Sequence, residues 1–354
     1  MAMSGGVDST VAALLLQSQG YEVIGVTMKT WDYESSGAPA NQSGCCSLDA
    51  IHDARAMAVR FNIPHYVLDL RKEFEEKIVS NFVDEYLKGR TPNPCVLCNR
   101  LIKWEDLLKR ADELGCRYIA TGHYAQVISE GQRWFLRQGE DKSKDQTYVL
   151  WGLTQESLAR TLFPLGTMNK TETRKIAEEN GLESIARKSE SYEICFIPDD
   201  DYRRFLRYKV PGLEEKLEGG DFITSDGKVL GKHKGYPFYT IGQRKGLVVA
   251  VGHPLYVNRI DPVSNQVTLG PREELNRDSL SICDINLMKY ESFEELQSMD
   301  VRIRYHDKGA KASIRLSNGR IDIRFDSPVQ GVTPGQSAVI YEGSDLVAGG
   351  IIET

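Results

Sequence analysis

The sequence predicts an α/β protein, a doubly wound and mainly parallel sheet followed by a small, mostly β central domain and a C-terminal β-barrel. Three observations predict it. Apolar strand-like runs alternate with helix-spaced runs through residue 180, the signature of a parallel sheet with helices on both faces. Ser4-Gly5-Gly6-Val7-Asp8-Ser9 then joins an apolar stub to a helix, as the first turn of such a sheet does. Beyond residue 221 the period shortens to alternating polar and apolar residues split by turns. The expected units are 1–210, 211–275 and 276–354.

In chain order, Met1-Ala2-Met3 is a very short opening strand for a buried sheet. Either the sheet begins with a stub or the chain lacks its true start. Val11 to Gln17 reads as a helix stopped by Gly20, and Tyr21 to Met28 as a strand. Residues 32–46 form a loop, and a helix from a Ser47 cap carries Leu48, Ile51, Ala54, Ala58 and Phe61 on one face. A strand at His65 to Leu70, helices at 73–88 and about 100–114, and a strand at Tyr118 to Thr121 continue the alternation. A helix over 170–180 ends at Gly181, and Gly212 to Asp221 looks like a linker. Strands are expected at Phe222–Thr224, Tyr239–Ile241, Tyr256–Val257 and Val267–Leu269, then at Val301–Tyr305, Ala312–Leu316, Ile321–Phe325 and Ala338–Tyr341. Asn318-Gly319 and Pro334-Gly335 supply turns in the last set.

Composition narrows the class. The 354 residues are 41% apolar and 27% charged, ordinary for a globular protein of two or three domains. No apolar run reaches membrane length and no signal peptide opens the chain, so a cytoplasmic protein without a membrane partner is expected. The seven cysteines then read as thiols, metal ligands or redox groups rather than a disulfide framework. A net charge of −6 argues against nucleic-acid binding by bulk charge, but not against local basic patches.

The Gly/Ser loop is a phosphate cradle on physical grounds. Its glycines admit close backbone approach, its hydroxyls donate, and the following helix N-terminus favours an anion. It lacks the lysine of the GxxxxGK[ST] loop. Asp8 beside a phosphate implies a bridging Mg²⁺; the plainer reading is an Asp/Ser N-cap on a tight turn. Ligands bind at strand carboxyl ends in such sheets, which puts Met28, Gly122 and His123 near this loop.

A second stretch, Thr91-Pro92-Asn93-Pro94-Cys95-Val96-Leu97-Cys98-Asn99, sets two prolines in extended backbone before a CxxC pair. Such a pair suits an activated thiolate or half of a zinc site. Cys195 is either a core cysteine or, beside the polar run Lys188 to Ser191, a reactive one. Cys116 and Cys283 are assigned to packing, and Cys45-Cys46 to an exposed loop. Basic residues gather at Tyr202–Lys209, Gly231–Gly235 and Gly242–Gly246, and point to a phosphate-binding face drawn from Arg203, Arg204, Arg207, Lys232, Lys234, Arg244, Lys245 and Arg304.

Together with Ala120-Thr121-Gly122-His123-Tyr124, Lys144-Asp145-Gln146, Glu193-Ile194-Cys195-Phe196, Tyr239 to Leu247 and Pro334-Gly335-Gln336, these stretches resemble the tRNA-specific 2-thiouridylase (MnmA) family of pyrophosphate-loop enzymes. The resemblance runs in family order along nearly the whole chain. It implies an adenine-nucleotide-hydrolase-like first domain and an enzyme that replaces oxygen by sulfur at carbon 2 of the wobble uridine. It implies ATP contacts at Ala2, Met3, Ser4, Gly5, Gly6, Val7, Asp8, Ser9, Met28 and Gly122, with Mg²⁺. The nucleophile maps to Cys98 and the persulfide carrier to Cys195. Contacts to the base and the tRNA map to Asn93, Pro94, Cys95, His123, Lys144, Asp145, Gln146, Arg304, Tyr305 and Gln336. The implied partners are tRNAs with Lys, Glu and Gln type anticodons and a cysteine desulfurase or sulfur carrier.

In that chemistry ATP turns a poor carbonyl electrophile into one with AMP as leaving group, and Cys98 releases the sulfur by closing a disulfide with Cys195. One departure stands out: the family often has Asp where this chain has Cys95. A 4Fe–4S cluster on Cys95, Cys98 and Cys195 is therefore an alternative. Two others are a pyrophosphate-loop ligase forming C–N bonds and a tRNA-binding protein without catalysis.

Overall fold

The computed structural model describes residues 1–32, 37, 48–188, 194–249 and 251–353. The expected loop at 32–46, the Ser47 cap, Cys45-Cys46 and most of the polar run before Cys195 lie outside them.

The first sheet is doubly wound. Gly25–Lys29 pairs in parallel with His65–Asp69, and Ile119–Ala120 with Thr161–Leu162. Met1-Ala2-Met3 lies between these pairs: Ala2 forms a parallel bridge to Val26 and donates to the Ala120 carbonyl at 2.8 Å. The short first strand therefore holds the centre of an order that runs third, second, first, fourth, fifth by chain position. Its brevity is offset by both neighbours bonding its backbone and by burial of Met3. The strand expected from Tyr21 begins only at Gly25, because Tyr21 and Glu22 stay exposed.

Helices cover the sheet as Val7–Ser18, Leu48–Arg60 and a continuous run from Arg71 to Leu87 with a π turn at Glu75–Val79. The next run begins earlier than expected. Pro94 is its first residue, a position where a missing N–H costs nothing. It passes through a π stretch at Cys98–Asp106 and ends at Glu113. Pro94, expected in extended backbone, is thus helical, and Cys95 and Cys98 lie on the first helical turns. Lys170–Glu179 matches its expected span and carries a full capping box between Asn169 and Glu172.

A hairpin absent from the sequence reading, Ala125–Glu130 with Arg133–Gln138, leaves the parallel sheet and joins the C-terminal one through Arg137 opposite Asp345. The Arg137–Asp345 ion pair at 2.6 Å fastens that junction.

The expected linker is structured: Leu213–Leu217 is helical, Leu213 is buried, and Gly220–Ile223 is already a strand. The central sheet runs Val229–His233, Gly220–Ile223, Gln266–Gly270, Tyr256–Asp261. Tyr239–Ile241 is not a strand; a 3₁₀ turn at Tyr236–Phe238 precedes it and packs its rings inward.

The last unit is a closed six-stranded antiparallel barrel, in the order Asn276–Leu287, Arg320–Gln330, Ala310–Ser317, Glu295–Arg302, Ser337–Glu342, Asp345–Ile352. Ile321, Ile323 and Phe325 alternate with exposed neighbours along one strand, the pattern that predicted it. The strand expected over Val301–Tyr305 ends at Arg302.

The units share cores. Phe74, Phe82, Phe196 and Phe205 of the first unit pack with Phe222, Phe238 and Val257 of the second. Trp104 and Trp151 pack with Met288, Tyr341 and Leu346 of the barrel.

Candidate active site

The phosphate loop lies at the carboxyl end of the central strand. Gly5 has φ +70°, and a Cβ there would meet the Ala50 carbonyl oxygen at 2.5 Å, so only glycine fits. Gly6 caps the first helix without a side chain, which leaves the first-turn amides uncapped by any side-chain oxygen. Ser9 and Thr10 donate to the Gly6 carbonyl at 3.1 and 2.9 Å. The Ser4 amide donates to Ser9 Oγ at 3.1 Å. The Asp/Ser N-cap reading is thereby corrected, since the cap is Gly6.

Gly122, after the fourth strand, closes the other side. A Cβ on it would stand 2.8 Å from the Ser9 amide nitrogen and from the Asp8 carbonyl carbon. The sheet order reverses between these two strands, which is where an open α/β sheet takes its ligand. Met28, next to last in its strand, lies at the same sheet edge. Of the expected nucleotide contacts, Met3 and Val7 have buried side chains and offer backbone only.

Asp8 is not alone in the loop. Lys170 Nζ donates to both its oxygens at 2.8 Å, and the Tyr124 hydroxyl donates to Oδ1 at 2.9 Å. A carboxylate accepting three hydrogen bonds is poorly placed to serve as the ligand of a bridging Mg²⁺, so Asp8 does not fit that part. Lys188 reaches the same loop, donating to the Gly5 carbonyl at 3.0 Å and pairing with Asp53. Neither lysine was singled out from the sequence.

The second cluster lies where the first unit meets the barrel. The Gln336 side chain donates to the carbonyls of Thr91 at 3.0 Å and Pro92 at 2.9 Å, and the Thr91 amide donates to the Pro334 carbonyl. This clamp holds the turn from which the Cys95–Cys98 helix starts. The Tyr148 hydroxyl donates to the Ser337 carbonyl at 2.8 Å, and the Tyr148 ring stands 6.0 Å from that of Tyr305. Tyr305 is partly exposed and meets His306 ring to ring at 4.8 Å, a surface suited to stacking on a base. Arg304 is committed to the barrel, donating to the Gly331 carbonyl at 2.9 Å.

Cys95 is exposed, and Cys98 and Cys195 are half-buried. The latter two border one aromatic cluster that includes Phe196, Trp31 and Phe82. Among the described residues no three His, Cys, Asp or Glu side chains converge as a metal site. Among the described residues, then, Cys95, Cys98 and Cys195 are not gathered as a ready metal-binding group, and the CxxC pair meets no second half of a zinc site.

His123 is boxed by Trp104 and Phe163 at 5.7 and 6.0 Å, with Nδ1 on Thr121 Oγ1 at 2.7 Å. Burial pushes its imidazole well below the usual range, so it is neutral at pH 7.

Two expected nucleic-acid contacts turn inward. Asp145 is buried, accepts from the Thr147 amide and hydroxyl, and pairs with Arg302 of the barrel at 3.2 Å. Gln146 exchanges hydrogen bonds with the Tyr124 backbone, each at 3.0 Å. Both shape the turn that carries Lys144.

Most of the expected basic face is hydrogen-bonded or ion-paired within the fold. Arg203 donates to the Phe238 carbonyl and Gln243, and Arg204 pairs with Asp199. Arg207 and Lys234 share Glu214, and Lys232 pairs with Asp221. Arg244 and Lys245 are exposed. They flank a tip where Val248 is almost wholly exposed.

Three family models match in chain order: a tRNA methyl transferase HUP domain over residues 1–199, a tRNA methyl transferase PRC-barrel domain over 207–271, and an aminomethyltransferase beta-barrel domain over 277–352. The tRNA-specific 2-thiouridylase MnmA of Cytophaga hutchinsonii is 52% identical, over all of this chain and 96% of that protein. That of Salinibacter ruber is 52% identical over 99% and 93%. That of Clostridium acetobutylicum is 46% identical over 100% and 98%. Among solved structures, the tRNA thiolase NcsA of Methanococcus maripaludis, solved with its 4Fe–4S cluster, aligns over 60% of this chain and 66% of its own at 20% identity and TM-score 0.34. With relatives this similar along its whole length, the chain belongs to the tRNA-specific 2-thiouridylase (MnmA) family.

Proposed function

We propose that the protein is an ATP-dependent tRNA 2-thiouridylase acting at the wobble uridine. ATP lies along Ser4–Ser9 with Met28 and Gly122, and adenylates the carbon-2 oxygen of the base with release of pyrophosphate. The terminal sulfur of a Cys195 persulfide attacks carbon 2 and expels AMP, leaving the base joined through two sulfurs to Cys195. The Cys98 thiolate then attacks Cys195 Sγ. The sulfur–sulfur bond breaks, 2-thiouridine departs, and a Cys98–Cys195 disulfide remains for a thiol reductant to reopen. The neutral His123 is available as a hydrogen-bond partner or base rather than as a cation. Any Mg²⁺ comes with the nucleotide, and no step is derived through it.

The observation that carries this reading is the pair of half-buried cysteines at one aromatic border in the same unit as a phosphate loop. Methyl transfer, named in the descriptions of two matching family models, needs neither the loop nor two thiols. The division 1–210, 211–275 and 276–354 is part of the proposal. So are tRNAs with Lys, Glu and Gln type anticodons, a cysteine desulfurase or sulfur carrier as donor, and a cytoplasmic setting. No described helix is long and apolar enough to cross a membrane.

The test is nucleoside mass spectrometry of tRNA incubated with protein, ATP and a persulfide donor. Cys98→Ser and Cys195→Ser are each expected to abolish 2-thiouridine while tRNA affinity stays unchanged. Near wild-type turnover by either variant sinks the two-cysteine mechanism, and a methylated product would favour methyl transfer.

A further inference from the structure

The phosphate loop contains no lysine, yet a triphosphate carries far more charge than a helix N-terminus, worth about half a positive charge, can balance. The fold brings two lysines to the loop from far along the chain. Lys170 meets Asp8 across 162 residues and Lys188 meets Gly5 across 183. We propose that Lys170 and Lys188 are the phosphate-binding cations of this loop and grip the pyrophosphate end of the nucleotide. This rests on the ATP-dependent reading above and adds to it the residues that hold the leaving pyrophosphate.

Each lysine is stationed by a carboxylate, Asp8 for Lys170 and Asp53 for Lys188. Lys170 opens the helix Lys170–Glu179, and its amide donates to Asp141 Oδ2 at 3.1 Å, which fixes the root of the side chain. The Lys170 side chain is 11% exposed and that of Asp8 33%, so the ammonium is the more buried member of the pair. A buried ion pair contributes little net stability, because desolvation offsets attraction. Holding a lysine in one geometry is, however, what a ligand site needs, since the ordering cost is met before binding. Lys188 is more open, at 39% side-chain exposure. An ammonium has three donors, so Lys188 can hold the Gly5 carbonyl and a phosphate oxygen together. The Gly5 contact also ties the lysine to the turn whose positive φ shapes the cradle.

The experiment is calorimetric titration of the full chain with ATP, inorganic pyrophosphate and AMP, alongside a melting curve without nucleotide. For Lys188→Met, ATP and pyrophosphate affinity should fall roughly ten- to a hundred-fold, as for loss of a charged hydrogen bond. AMP affinity and the melting temperature should not move, and Lys188→Arg should restore part of the loss. Lys170→Met strands Asp8, so it is tested as Asp8→Asn with Lys170→Met against Asp8→Asn alone; the double variant should lose pyrophosphate affinity beyond the single one. Unchanged pyrophosphate affinity in Lys188→Met, or an equal loss for AMP, overturns the assignment while the ATP-dependent reading stands. Wild-type protein that binds neither ATP nor pyrophosphate overturns both.

Discussion

Gln336 of the barrel holds Pro92 of the first unit by a side-chain hydrogen bond of 2.9 Å to its carbonyl, and the same amide reaches Thr91. The barrel thus sets the backbone just ahead of Cys98. Gln336→Leu keeps the volume but strands two carbonyls, at about 1 kcal/mol each. The expected outcome is a turnover about tenfold lower with little change in KM for tRNA. A Gln336 that instead contacts the tRNA directly would raise KM, so steady-state kinetics separate the two roles.

Asp145 is a strut, buried and ion-paired with Arg302. Asp145→Asn leaves Arg302 without its charge partner and should destabilise the protein by about 3 kcal/mol in denaturant unfolding. Adding Arg302→Met should recover part of that loss. An Asp145→Asn variant of full stability but weakened tRNA binding would return the residue to the nucleic-acid surface.

Arg244 and Lys245 should carry charge to the tRNA, because they are exposed whereas Arg204, Arg207, Lys232 and Lys234 are ion-paired. Each alanine variant should reduce the slope of log affinity against log salt by about one, alike for cognate and non-cognate tRNA. Arg207→Ala, which breaks the pair with Glu214, should lower the melting temperature and leave the slope unchanged. An unaltered slope in both exposed variants would mean that this tip faces solvent.

His123 gives an acid-side stability loss. Its folded imidazole lies well below the unfolded value of 6.5, so below pH 6.5 the unfolded chain binds a proton that the folded one refuses. Stability contributed by the neutral ring is full above that pH and falls as pH drops toward the folded value. Melting temperatures over this window should decline for wild type and less steeply for His123→Asn. Parallel curves for the two proteins would assign the decline to other groups.

The layered plan is legible in the chain alone. Alternation of period gave the parallel sheet, alternating strands with Asn318-Gly319 gave the barrel, and two adjacent glycines before a helix gave the phosphate loop. These features are local: a period of two or of 3.6 and a positive φ are written within a few residues. The structure alone decided what meets what. It moved Cys95 and Cys98 onto a helix started by Pro94, turned Asp145 inward to Arg302, and ion-paired Arg204, Arg207, Lys232 and Lys234 of the expected basic face. It also drew Lys170 and Lys188 to a loop that no spacing connects them with. The hairpin at 125–138 pairs with itself around Gly131, and what no local signal shows is its junction to Asp345, 208 residues beyond Arg137. A charged side chain takes whichever partner packing delivers, and packing joins segments whose separation leaves no mark on local sequence. Which side chains meet was therefore decided only when the chain closed on itself.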